Sequence, residues 1–337
     1  MARYCVSRCV EFQFVARTTA IARSSDAGGI RRNGTIARRK RKPLNQRQRS
    51  GKLTGLENAA VVRIESNVMQ ILNSLRGKGS SLRRYRRPMV ELLEDRTFMS
   101  NTPTASLLVP AYFYPVANGG WDRMAAAAEV APVTAILNPD SGPGSSADPV
   151  YAAAINKLRG DGGRVVGYIH TSYGKRPLAA VEAEVNAYAS FYALDGFFVD
   201  EMATTSAEVT YYQALYAFIK TLNANYEVIG NPGTSTQQTY LTSPAADVLV
   251  DFEGNQAAYG KASPPSWVSN FGSEHFGSIV GRVGKVKTMY ADLSRAKQRN
   301  AGYVYVTDQN LGNFKTAYDR LPVYWNQEVA AMAAENG

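Results

Sequence analysis

The sequence predicts an α/β protein: a closed (β/α)8 TIM barrel preceded by a disordered basic N-terminal extension. Three observations carry this. After Thr102, apolar runs rich in Val, Ile, Phe and Tyr alternate with Ala-rich stretches of helical spacing. Eight such units in what remains of the chain match the size of a parallel barrel, about 250 residues. The runs are apolar almost without interruption, as expected of parallel strands covered on both faces. Finally, charge divides the chain: residues 1–100 hold 22 Lys and Arg against 7 Asp and Glu, and residues 101–337 hold 16 against 21. The overall +10 therefore belongs to a leader, and the body is mildly acidic.

Residues 1–85 read as that leader. The run Arg38-Arg39-Lys40-Arg41-Lys42 followed by Pro43 is too charged to pack, and one amphipathic stretch, 59–75, has the spacing of a marginal helix. Both cysteines, Cys5 and Cys9, lie here, so the body has no thiolate nucleophile and no cysteine zinc site. Arg8, Glu11 and Arg17 interrupt the apolar runs that a secretory signal needs, and no stretch of 18 apolar residues exists to span a membrane.

From residue 104 onward the expected strands are 107–114, 133–137, 164–170, 196–199, 227–230, 248–252, 278–281 and 303–307. The helix candidates between them include 150–158, 178–192, 207–222, 286–299 and a C-terminal stretch ending near Ala334. In the second of these, Val181, Val185, Tyr188 and Tyr192 form one core-facing stripe. An open doubly wound sheet is the rival architecture, but no Gly-x-Gly-x-x-Gly follows the first strand. Gly142-Pro143-Gly144 has no Lys-Ser/Thr behind it, which argues against a nucleotide site.

Barrel enzymes carry their reactive groups where strands end. Read in order, the strand ends supply Tyr112 and Tyr114; Asn138; Tyr168 and His170; Asp200 and Glu201; Asn231; Asp251 and Glu253; and Asp308. Carboxylates, amides and aromatics together suit a sugar, which offers hydroxyls to bond and ring faces to stack. Glycoside hydrolysis needs two carboxyl groups flanking the scissile bond, and strands four and six can supply them from opposite sides of a pocket. Asp200 and Glu201 follow the apolar Phe197-Phe198-Val199, a setting in which burial tunes a carboxyl. Adjacent strand residues point to opposite faces, so both can face substrate only where the strand has ended.

Each residue also has a plainer reading. A strand-end acid often caps the next helix, and Asp308 is as well explained that way. His170 suits a rim hydrogen-bond donor better than a base. Trp267, after Pro264-Pro265-Ser266, is either a sugar platform or a loop anchor. Asn138 and Asn231, each before proline, can simply shape turns.

Two resemblances add to this. Around Arg86-Arg87, Leu93-Glu94-Asp95-Arg96 and Ser100, residues 86–100 resemble the short Leu-Glu-x-Arg element near the start of many bacterial surface and exported proteins. That resemblance implies export to the medium or cell surface, and an over-long gene start ahead of it. The body resembles the spherulin-4-like glycoside hydrolases, relatives of endo-α-1,4-galactosaminidases. It does so through Val109-Pro110-Ala111-Tyr112-Phe113-Tyr114-Pro115, Ile136-Leu137-Asn138-Pro139, and Val166-Gly167-Tyr168-Ile169-His170-Thr171-Ser172-Tyr173-Gly174. The series continues with Asp195-Gly196-Phe197-Phe198-Val199-Asp200-Glu201, Gly230-Asn231-Pro232-Gly233 and Glu253.

The resemblance implies a (β/α)8 fold and hydrolysis of galactosamine or N-acetylgalactosamine polymers, with family acids at Asp200, Glu201 and Glu253. The resulting expectation is an endo-acting, retaining enzyme on an amino-sugar polysaccharide. Asp200 would be its nucleophile, Glu253 its general acid/base, and Glu201 a positioning group. No metal or organic cofactor is expected, and no nucleic-acid partner for the barrel. The alternative is a non-catalytic cell-surface barrel that grips glycan without cutting it.

Overall fold

The computed structural model describes residues 105–313 and 316–336; the leader and the Leu-Glu-x-Arg element lie outside the described residues. The chain runs β1 (Ser106–Ala111), α1 (Gly120–Ala128), β2 (Val133–Leu137), α2 (Pro149–Gly160), β3 (Arg164–His170) and α3 (Leu178–Phe191). It continues through β4 (Gly196–Asp200), α4 (Val209–Leu222), β5 (Glu227–Gly230), α5 (Thr239–Thr242), β6 (Val248–Asn255) and α6 (Gln256–Tyr259). It ends with β7 (Phe276–Gly281), α7 (Val286–Gln298), β8 (Tyr303–Val306) and α8 (Trp325–Asn336). The eight strands pair in parallel in sequence order, and β8 closes onto β1. This is a (β/α)8 TIM barrel. Among the described residues no helix is long and apolar enough to cross a membrane.

Local chemistry explains the elements. Asp148 caps α2 by accepting from the Val150 N–H at 2.7 Å, with Pro149 in the first helical position. The stripe of α3 is buried as its spacing requires, at Val181, Val185 and Tyr188, with Tyr192 just past its end. Helix α1 is absent from the helix candidates read from the sequence. It is short and opens on two glycines, Gly119 and Gly120, which read as a turn, and it is set by burial of Trp121, Met124, Ala125 and Ala127.

Two features close the barrel. At its floor Arg164, Glu227 and Tyr303, each the first residue of its strand, meet across the interior. Arg164 Nη1 lies 3.0 Å from Glu227 Oε2, and the Tyr303 hydroxyl donates to Glu227 Oε1 at 2.9 Å. A half-buried charge is steadied by being paired in this way. The second feature is the seam between β1 and β8, whose register covers only Ser106↔Tyr303 and Leu107↔Val304. Beyond it the Val306 N–H has no strand carbonyl to meet and donates instead to Glu328 Oε1 of α8, at 2.8 Å. A buried N–H must find an acceptor, and here a helix side chain stands in for the missing strand.

Candidate active site

The end opposite the floor brings together residues from the ends of six strands, β1, β3, β4, β5, β6 and β8, and the loops that follow them. Strand β4 stops at Asp200, and Glu201 then adopts a left-handed backbone (φ 51°). That conformation costs a non-glycine residue about 1 kcal/mol or more. Three hydrogen bonds to the Glu201 carbonyl hold it: from Tyr173 N at 2.8 Å, Thr171 Oγ1 at 2.9 Å and Tyr212 Oη at 3.4 Å. The facing β3–α3 turn is left-handed too, at Ser172, Tyr173 and Gly174. Strand alternation is therefore broken at Asp200, and Glu201 Oε2 comes to 3.6 Å from His170 Nδ1 on the same rim.

Strand β6 carries a bulge. Its register to β7 passes from Val250↔Gly277 to Phe252↔Ser278, leaving Asp251 as the extra residue. In a regular strand Asp251 and Glu253 would share a face; an inserted residue separates them. The carbonyl of Gly233 (φ 62°) accepts from the Glu253 N–H at 2.9 Å, and a β-carbon on Gly233 would lie 3.5 Å from that of Glu253.

The bulge and the β5–β6 loop together deliver Glu253 to Asn231. One nitrogen, Asn231 Nδ2, donates to Asp200 Oδ1 at 2.8 Å and to Glu253 Oε2 at 2.6 Å. The two acids are thus bridged over the end of β5 as next-but-one neighbours, rather than set on opposite sides of the pocket as the sequence reading expected. The remaining oxygens are also engaged. Tyr168 Oη donates to Asp200 Oδ2 at 2.9 Å, and Tyr318 Oη donates to Glu253 Oε1 at 2.6 Å. Tyr112 stands edge-on to both tyrosines, at 5.5 Å from Tyr168 and 5.4 Å from Tyr318. A ring results: Glu253, Asn231, Asp200, Tyr168, Tyr112, Tyr318.

Burial, and next the charge of Glu253, push the Asp200 carboxyl up to about 7. Its hydrogen bonds from Tyr168 and Asn231 oppose that rise without cancelling it. Near neutral pH the Asp200 carboxyl is therefore partly protonated.

Other residues singled out from the sequence fall elsewhere. Asn138 Oδ1 accepts from the Gly142 N–H at 2.9 Å and closes its own turn. Tyr114, half exposed, donates to Asp148 at 3.0 Å and packs edge-on against Tyr151. Asp251 is turned away from the ring, among Tyr259, Ser278 and Arg299; burial pushes it up to about 7 while Arg299 pulls the other way. Trp267 packs on Phe276, the first residue of β7, and on Phe271, so it anchors the α6–β7 loop near the strand start rather than the rim. Asp308 is gripped by the Arg320 guanidinium at 3.0 and 2.7 Å and accepts from the Val323 N–H. Burial raises this carboxyl, but those three donors outweigh it and hold Asp308 below the usual range.

Three residues that matter here were not read from the sequence: Tyr318, Thr171 and Tyr212. Nothing in the spacing of a chain with 20 tyrosines marks two of them out. Among the described residues no group of three or more His, Cys, Asp or Glu could hold a metal ion.

Fold and site define a class: a (β/α)8 barrel with an amide-bridged carboxyl pair at the C-terminal ends of its strands. Within that class the assignment is specific. Residues 106–332 match the model of the spherulation-specific family 4, and the chain belongs to that family. Spherulin-4 of Physarum polycephalum is 37% identical over 258 residues, covering 71% of this chain and 75% of that protein. Among solved structures, Aspergillus clavatus Sph3 in complex with GalNAc superposes with a TM-score of 0.60 at 24% identity, over 68% of this chain and 98% of that one.

Proposed function

We propose that this barrel is an endo-acting, retaining glycoside hydrolase of galactosamine- or N-acetylgalactosamine-containing polysaccharide, working outside the cell or on its surface. The observation that carries the reading is the Asn231 bridge. Laid end to end, its two hydrogen bonds keep the bridged oxygens, Asp200 Oδ1 and Glu253 Oε2, within the about 5–5.5 Å typical of retaining enzymes, closer than the roughly 6.5–9.5 Å of inverting ones. Family membership supports a carbohydrate substrate, and the GalNAc held by the related Sph3 barrel supports the choice of amino sugar.

In this reading Asp200 attacks the anomeric carbon while Glu253 gives its proton to the departing glycosidic oxygen. A covalent glycosyl–Asp200 ester forms and the leaving chain departs with the proton. Water then attacks the same carbon, Glu253 takes the water's proton, and Asp200 is released as carboxylate. The first step needs one proton on the pair, carried by Glu253, and an ionised Asp200. Glu201, fixed by its carbonyl and facing His170, positions a substrate hydroxyl or amide.

The test is Glu253→Gln on a panel of polysaccharides with mass spectrometry of products. Chain cleavage should fall by about 10²–10⁴-fold while glycan binding persists. Cleavage unchanged in Glu253→Gln would sink the mechanism. A wild-type protein that binds glycan and cuts none would make it a non-catalytic carbohydrate-binding barrel.

A further inference from the structure

Glu253 is held from one side by Asn231, which the sequence singles out, and from the other by Tyr318, which it does not. Tyr318 belongs to the connection between β8 and α8. It is 7% exposed, has a left-handed backbone (φ 63°) and gives its hydroxyl to Glu253 Oε1 at 2.6 Å. A bulky aromatic residue in that backbone region is strained, and such strain persists only where the surroundings over-determine it. Those surroundings are two residues just past the end of β8. Asp308 takes both arms of the Arg320 guanidinium and the Val323 N–H, fixing the chain after Tyr318. Gln309 Nε2 donates to the Thr316 carbonyl at 2.9 Å and to the Asp319 carboxylate, gripping the chain on either side of it. The strand end thus buckles its own following loop back over the pocket.

We infer that Tyr318 is a positioning residue for Glu253, set in place by the Asp308 and Gln309 buckle. Its hydroxyl, donated to Glu253 Oε1, regulates how the acid pair keeps and releases its proton. The inference rests on the hydrolase reading above. The groups facing this hydroxyl are Glu253 of β6, Asp200 of β4, and Tyr112 after β1, with Tyr168 of β3 beyond Tyr112 and against Asp200. All of these acids and phenols are neutral or negative, so Tyr318 and Asn231 are what steady the negative charge from either side. Removing a donor to an ionised form disfavours that form, so the pair should hold its proton to higher pH.

The experiment compares Tyr318→Phe, Asp308→Asn and Tyr188→Phe with the wild-type full chain on the polysaccharide cut best, recording kcat and KM from about pH 4 to 9. Tyr318→Phe keeps the ring against Tyr112 and removes one oxygen. Its kcat should fall about tenfold with KM within a factor of two, and the alkaline limb of the kcat profile should move up by about half a pH unit or more. Asp308→Asn, with a weaker fork to Arg320, should move both in the same direction by less. Tyr188→Phe removes a buried hydroxyl from the Leu137 carbonyl, away from the acids, and should lower Tm without moving the limb.

A Tyr318→Phe protein whose limb stays put, whether or not kcat falls, overturns the inference. The hydrolase reading then stands if Glu253→Gln is dead. A wild-type protein that cuts nothing overturns both.

Discussion

Replacing Glu328 by Gln should make the barrel more stable, and increasingly so as pH rises. Glu328 is fully buried at the β1–β8 seam, with Oε1 accepting from the Val306 N–H and Oε2 lacking a donor among the described residues. Burial drives its carboxyl from the ordinary 4.5 up to about 8, against the pull of the Val306 N–H. The folded protein therefore binds a proton between those limits that the unfolded chain has released. Where the native state binds more protons, stability falls with rising pH. The loss amounts to about 1.4 kcal/mol for each pH unit in the window, on the order of 5 kcal/mol across it.

Glutamine keeps the acceptor for Val306 and cannot ionise, so its contribution is flat. Its new amide donor lies near the buried hydroxyls of Tyr305 and Tyr324, both close enough to feel the Glu328 charge. Urea unfolding of both proteins at pH 5, 6, 7 and 8 isolates the effect, because every other titrating group cancels in the difference. The two should nearly coincide at pH 5 and separate steadily to pH 8 in favour of the variant. Parallel curves, or a variant weaker at pH 8, would refute a buried neutral carboxyl at the seam.

Two further outcomes follow from the same geometry. Asp251→Asn should leave chain cleavage within a factor of two, since the bulge turns Asp251 from the pocket. It should also raise the unfolding midpoint at pH 8 but not at pH 4, because the Asp251 carboxyl is raised to about 7 and its folded form loses stability as pH climbs through that window. Tyr212→Phe strips the buried Ala203 N–H of its acceptor at 2.9 Å and Thr171 of one of its partners, at 2.8 Å. It should cost about 1–3 kcal/mol in urea titration and lower kcat by loosening Glu201.

Much of this protein was legible before any fold was known. Strands β2, β3 and β5 occupy the residues that apolar runs alone marked. The positions that meet at the pocket, Asp200, Glu253, Asn231, Tyr168 and Tyr112, are ones where an apolar run gives way to a polar or aromatic residue. Hydrophobic patterning is a local property, and in a parallel barrel the end of each run is an address on the rim.

What sequence could not supply is which rim residues face one another. Asp251 and Glu253 read alike as strand-end acids; the bulge, fixed by pairing with β7 and by the Gly233 carbonyl, sends one to the pocket and the other outward. Asp308 reads as a rim acid until Arg320 closes on it. Tyr318 enters the site through a loop with no periodicity to announce it. Local chemistry thus chose the elements and the kinds of groups at their ends. Side-chain direction depends on register, bulges and backbone sign, which are settled only when distant segments pack, and that step made a bridged carboxyl pair of Asp200 and Glu253.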